Sequence, residues 1–147
     1  MVKKRILITG GSGFLGWHLA RRFREEYEVW ATYSAHPFEL EGVKTIPLDV
    51  TNGDEVDQKF DQIRPAAVIH AAADTNVDRC EVERETAYSV NVSGTENVLE
   101  AASTLGAPVV YTSTDLVFGG EKSMSTEDDP PSPMNAHQGH HTWRVRH

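Results

Sequence analysis

Gly10, Gly13 and Gly16 stand three residues apart, just after a short β-branched run from Arg5 to Ile8. They head a segment in which Phe14, Leu15, Leu19 and Phe23 recur at helical spacing. A strand, a glycine turn and a helix in that order bring backbone amides and the positive end of a helix dipole to one point, which suits a pyrophosphate. Each glycine has its own reason. Gly10 permits the tight turn, Gly13 leaves no Cβ between the backbone and the phosphates, and Gly16 lets the helix pack close to the sheet. A glycine turn with no ligand is the plainer alternative, and the strand before and helix after it weigh against that. Ser12 raises the possibility of a nucleophile elbow, but that turn needs a glycine two places after the serine and Phe14 stands there. The expectation is a bound dinucleotide, with Gly10, Ser12, Gly13, Phe14, Leu15 and Gly16 around its phosphates.

The other contacts of such a ligand are sought at the ends of the next strands. A carboxylate for the ribose hydroxyls sits about 20 residues after the glycines. Here that stretch reads Ala31-Thr32-Tyr33-Ser34-Ala35-His36, and the first acid is Glu39. Without the acid a 2′-phosphate is not repelled, and Ser34 or His36 can hydrogen-bond it, although no arginine is placed to grip it. NADP is therefore favoured over NAD. Asp49 and Val50, past the third strand, are placed at the adenine, with Asp49 on the amino group. Alternatively, Asp49 simply caps the helix that follows.

These residues need elements to carry them. The pattern predicts strands at 5–8, 28–32, 44–47, 66–70 and 108–111 and helices at 14–26, 54–63 and 83–105. Strands alternating with helices imply crossover connections and a parallel sheet covered on both faces, hence an α/β Rossmann-type doubly wound fold with strand order 3-2-1-4-5. Residues 1–119 read as the NAD(P)-binding domain. Residues 120–147, acidic and proline-rich and then histidine-rich, read as an irregular tail.

Bulk properties exclude several other functions. With 39% hydrophobic and 24% charged residues the composition is that of a soluble domain, and no apolar run approaches the ~18 residues of a membrane span. The basic start is followed only by Ile6-Leu7-Ile8, so no targeting segment is expected. The single cysteine, Cys80, forms no internal disulfide and fits a cytoplasmic, reducing location as a packing residue. A net charge of -8 repels a phosphate backbone, so nucleic acid is not an expected partner. His137, His140, His141 and His147 match no zinc spacing and have no cysteine or carboxylate beside them, so no metal is expected.

The glycine segment, Leu48-Asp49-Val50, His70-Ala71-Ala72-Ala73, Val77-Asp78-Arg79-Cys80-Glu81, Asn91-Val92-Ser93-Gly94-Thr95 and Ser113-Thr114-Asp115-Leu116-Val117-Phe118-Gly119 together resemble the extended short-chain dehydrogenases. The chain is most similar to their dTDP-4-dehydrorhamnose reductase branch, from Lys4 to about Asn135. The resemblance implies that Ala71, Ala72 and Ala73 line the nicotinamide-ribose side, joined by Thr112 and Ser113. It also implies that the Thr114 hydroxyl polarises a substrate carbonyl, and that the substrate is a nucleotide sugar.

The chain departs from that pattern after Asn135. In the family a Tyr-x-x-x-Lys helix follows, whose lysine lowers the tyrosine pKa so that the tyrosine can deliver a proton. No tyrosine follows Tyr111 here, Lys122 is the only later lysine, and His137 has no lysine one turn beyond it. The expectation is a chain truncated after Asn135, an oxidoreductase by resemblance whose cofactor-binding half is present. The rival is an inactive dinucleotide-binding module or regulatory subunit. A homodimer or larger assembly is expected, joined through the last strand or the long helix.

Overall fold

The structure, a computed structural model, describes residues 2–121, 124–126, 128–130 and 132. The expectations placed on Lys122, Asn135, His137, His140, His141 and His147 lie outside the described residues. Five strands, β1 (Arg5–Thr9), β2 (Glu28–Tyr33), β3 (Val43–Pro47), β4 (Ala67–His70) and β5 (Val109–Tyr111), form one sheet in the order β3-β2-β1-β4-β5, with every pairing parallel. The predicted order is the one observed.

Strand alternation explains the two cores. Leu7 pairs with Trp30 on one side and Val68 on the other, and Val68 with Val109, so this row shares one face. It packs with Leu48 and Val50 against helices α2 (Gly53–Ile63) and α5 (Gly94–Thr104), through Val56, Phe60, Ile63, Val98, Ala101 and Ala102. Ile6 and Ile8, one residue either side of Leu7, face the opposite way with Val29 and Ala31, and α1 (Phe14–Phe23) covers them with Ala20, Leu19 and Phe23. Each valine, leucine, isoleucine or phenylalanine among them contributes about 1.5–3 kcal/mol when fully buried. Phe60, 1% exposed, is the largest of them, and its truncation to alanine costs about 3–5 kcal/mol.

The helix expected at 83–105 differs in detail. The segment runs from α4 (Arg84–Tyr88) through a π-helical turn, Ser89–Ser93, into α5, and a short helix, α3 (Val77–Val82), precedes it. Glu83, at φ -106° and ψ 56°, breaks the path between α3 and α4. Where α5 begins, a Cβ on Gly94 would lie 2.7 Å from Val50 Cγ2, so the helix crosses very close to the chain leaving β3. The first helix stops at Phe23 rather than near Glu26, and the Glu26 amide there takes the tighter three-residue bond to the Phe23 carbonyl.

Candidate functional site

The chain order reverses between β1 and β4, so the carboxyl ends of those strands diverge and leave a crevice. Gly10 leaves β1 at φ 70°, and a Cβ on it would sit 2.7 Å from the Ala72 nitrogen on β4's exit. A Cβ on Gly16 would overlap the Gly10 carbonyl oxygen. The chain's own packing therefore demands glycine at both places. Gly13 is different: its φ is an ordinary -79°, and its Cβ would meet only the Gly10 oxygen, at 3.2 Å. No side chain caps the N-terminus of α1 and no acid lies in its first turn, so its partial positive charge is left for an anion.

Two adjoining clefts open at this point. One, of about 240 Å³, is lined by Gly10, Ser12, Gly13, Thr32, Ser34, Leu48, Asp49, Val50, Ala71, Ala72, Ala73 and Val90. The other, of about 500 Å³, shares Gly10, Gly13, Ala71 and Ala73 and adds Phe14, Leu15, Gly16, Thr75, Val77, Thr112, Ser113 and Thr114. All the residues singled out as binding or catalytic, His36 excepted, line one or the other. Thr32, Leu48, Thr75, Val77 and Val90 were not singled out. Val90 lies within the π-helical turn Ser89–Ser93, where it both lines the first cleft and packs on the core. His36 is exposed and lines neither.

Asp49 does not cap the following helix. Its Oδ1 accepts from the amide of Thr51 at 2.9 Å and from its hydroxyl at 2.8 Å, closing a local turn. The cap of α2 is Asn52, which accepts from the Glu55 amide at 3.2 Å. At the other end of the crevice Thr112 donates to the His70 carbonyl from both its amide and its hydroxyl, at 3.2 Å each. The Thr114 hydroxyl donates to Asp115 Oδ1 at 3.4 Å.

Beneath the clefts lie buried polar groups. His70, fully buried, is bonded through Nδ1 to the Thr9 hydroxyl at 2.6 Å and through Nε2 to the Thr95 hydroxyl at 2.5 Å. Asp74 is 7% exposed and takes the Arg79 guanidinium in two contacts, at 2.7 and 3.0 Å. Burial pushes the Asp74 carboxyl up. The hydrogen bond from Arg79, the amide of Asn76 and the Arg79 charge outweigh it and hold the carboxyl below its ordinary 3.8. Burial pushes the Cys80 thiol up, and the Asp74 charge adds to the rise, so Cys80 is a packing residue and not a nucleophile. Among the described residues no group of three or more histidine, cysteine, aspartate or glutamate side chains could hold a metal, and no helix is long and apolar enough to cross a membrane.

Comparison with known proteins gives this geometry a lineage. The chain is 40% identical over 121 residues to dTDP-4-dehydrorhamnose reductase of Aggregatibacter actinomycetemcomitans, which covers 81% of this chain and 37% of the relative. It is 30% identical over 132 residues to methionine adenosyltransferase 2 subunit beta of Mus musculus, covering 90% and 39%. A dTDP-4-dehydrorhamnose reductase of Bacillus anthracis, solved in complex with NADP, superposes with a TM-score of 0.83 at 34% identity, over 99% of this chain and 49% of that one. The Bordetella bronchiseptica enzyme WbmG, solved with NAD and UDP, gives 0.85 at 26% identity, over 95% and 47%. The chain thus spans between about two-fifths and one-half of these relatives. The family model described as the RmlD substrate binding domain matches residues 4–143, and the chain belongs to that family.

Proposed function

We propose that this chain is the cofactor-binding half of an NAD(P)-dependent oxidoreductase acting on a nucleotide sugar. The observation that carries the reading is Gly13. It is a glycine with an ordinary φ and one tight Cβ contact within the chain, 3.2 Å to the Gly10 oxygen, set at an uncapped helix N-terminus where a pyrophosphate fits. In this reading the amides at the head of α1 and the bare Gly13 hold the pyrophosphate, Ser34 faces the ribose, and Asp49 and Val50 hold the adenine. Ala71, Ala72 and Ala73 wall the nicotinamide side with Thr112 and Ser113. A reduced nicotinamide dinucleotide supplies a hydride when bound. Thr114, which lines the larger cleft, donates its hydroxyl to the substrate carbonyl oxygen and stabilises the charge that develops there.

NADP is favoured over NAD because Ser34, not an acid, stands at the end of β2, and the Bacillus relative was solved with NADP. Among the described residues no lysine or arginine lines either cleft, and a preference of about tenfold or less in affinity follows.

A second reading is a cofactor-binding or regulatory module, which the name of one relative favours. With no tyrosine after Tyr111, these 147 residues lack the proton donor of that pattern. The mouse relative is named as a subunit of a methionine adenosyltransferase. A cofactor-binding or regulatory module needs the clefts and not the tyrosine. The test is a reductase assay of the purified chain on a dTDP-4-keto sugar with NADPH and NADH. Cofactor binding without turnover is the expected result; robust oxidation of NADPH would show that these residues contain a proton donor our account omits.

A further inference from the structure

The first cleft does not close behind Ser34 and Asp49. It opens onto a shelf of about 470 Å³ that shares Ser34, Asp49 and Val90 with it, and shares no residue with the larger cleft at the nicotinamide end. The other walls of the shelf are Thr51, just past β3, and Glu85, Thr86 and Ser89, on α4 and at the start of the π-helical turn. A ribose facing Ser34 therefore lies at the seam between cleft and shelf.

Hydroxyls and two carboxylates make up the polar part of this shelf, and among the described residues no lysine or arginine lines it. Asp49 is partly occupied, since its Oδ1 takes the amide and the hydroxyl of Thr51. Glu85 is exposed, and Arg84, the basic residue beside it in sequence, is taken by Glu81 at 2.7 Å. The Glu85 charge is thus left to the shelf. A carboxylate in the first turn also suits the helix dipole, but α4 has only five residues and the gain at an exposed position is small.

NAD and NADP differ by one phosphate on the ribose, and a site discriminates by the charge it places nearby: a carboxylate tolerates the hydroxyl and repels the phosphate, and a cation does the reverse. The end of β2 offers only Ser34, which repels neither. Across the shelf the acid is present, on a different element from the one where spacing from the glycines would seek it. We propose that Glu85 is a specificity-determining residue: from α4 its carboxylate works against a 2′-phosphate held near Ser34, and so keeps the preference for NADP small. The inference rests on the dinucleotide reading above. With Glu85 and Thr86 both exposed, water and salt attenuate the repulsion, so it biases the choice and does not exclude NADP.

The test titrates the unaltered chain, Glu85→Gln and Glu83→Gln with NADPH and with NADH at low ionic strength. Glu83 is exposed, does not line the shelf, and undergoes the same change of charge. Glu85→Gln should raise affinity for NADPH about threefold and leave NADH unchanged, and the gain should fade in about 1 M salt. Glu83→Gln should leave the ratio of the two affinities as it is. Loss of a purely structural role for Glu85 would move both cofactors together. An unchanged ratio in Glu85→Gln, an equal shift in Glu83→Gln, or a gain that persists undiminished in high salt would overturn the proposal. Failure of the unaltered chain to bind either cofactor would overturn the dinucleotide reading and this inference together.

Discussion

Asp74 is the residue whose charge state is most tightly written into the structure. Its folded carboxyl lies below its ordinary 3.8, despite burial, because Arg79 and the Asn76 amide favour the ionised form. A depressed folded value contributes stability that is present above about pH 4 and lost as the pH falls through the lowered value. Arg79→Met removes the main source of that depression. Urea unfolding between pH 2 and 6 should therefore show a flatter acid slope in the variant; an unchanged slope would mean that Arg79 does not stabilise the carboxylate. Asp74 also shows what the sequence could not display. Gly10, Gly13 and Gly16 announce a phosphate turn because the pattern is local and each glycine answers a steric demand within it. The links from Asn91 to Asp74, from His70 to Thr95 and from Thr9 to His70 join residues 17, 25 and 61 positions apart, which no spacing rule reaches. Asp49 was legible as a cleft residue. Its turn with Thr51, and the capping role of Asn52 instead, depended on which oxygen met which amide.

At the scale of elements, alternation of apolar strands with amphipathic helices was enough to give all five strands and their order, since parallel crossovers leave few topologies open. What it missed was made by tertiary fit. Helix α3 buries only Cys80, too little for a periodic signal over six residues. The π-helical turn arises where Gly94 must pass Val50 and Asn91 must reach Asp74. The capping of α2 is a clean case for measurement. Asn52→Ala should cost about 1 kcal/mol, because the Glu55 amide loses its acceptor. Asn52 lines neither cleft, so dinucleotide affinity should stay the same. Urea unfolding and titration of one preparation check both, and a parallel loss of binding would mean that α2 holds the cleft open.

For the molecule as a whole, β5 forms one edge of the five-stranded sheet, and Val110 on it is 63% exposed. On the helical segment 84–104, Tyr88 and Leu99 are also exposed, at 47% and 43%. An apolar edge with unpaired backbone groups is a template for another chain. The described chain should therefore form dimers or larger species through β5 or this helix, and Val110→Lys should shift them toward monomer. Light scattering across a concentration series reads this, and a monomeric mass throughout would mean that the edge is covered. The central claim, that the crevice between β1 and β4 holds a nicotinamide dinucleotide on a bare Gly13, has a direct test. Titrate the chain and its Gly13→Val variant with NADPH and NADH, and record circular dichroism of both. The account predicts saturable one-to-one binding by the chain, no binding by the variant, and matching spectra, since the added Cβ meets only the Gly10 oxygen at 3.2 Å. Equal affinity in the two proteins, or no binding by the unaltered chain, would contradict it.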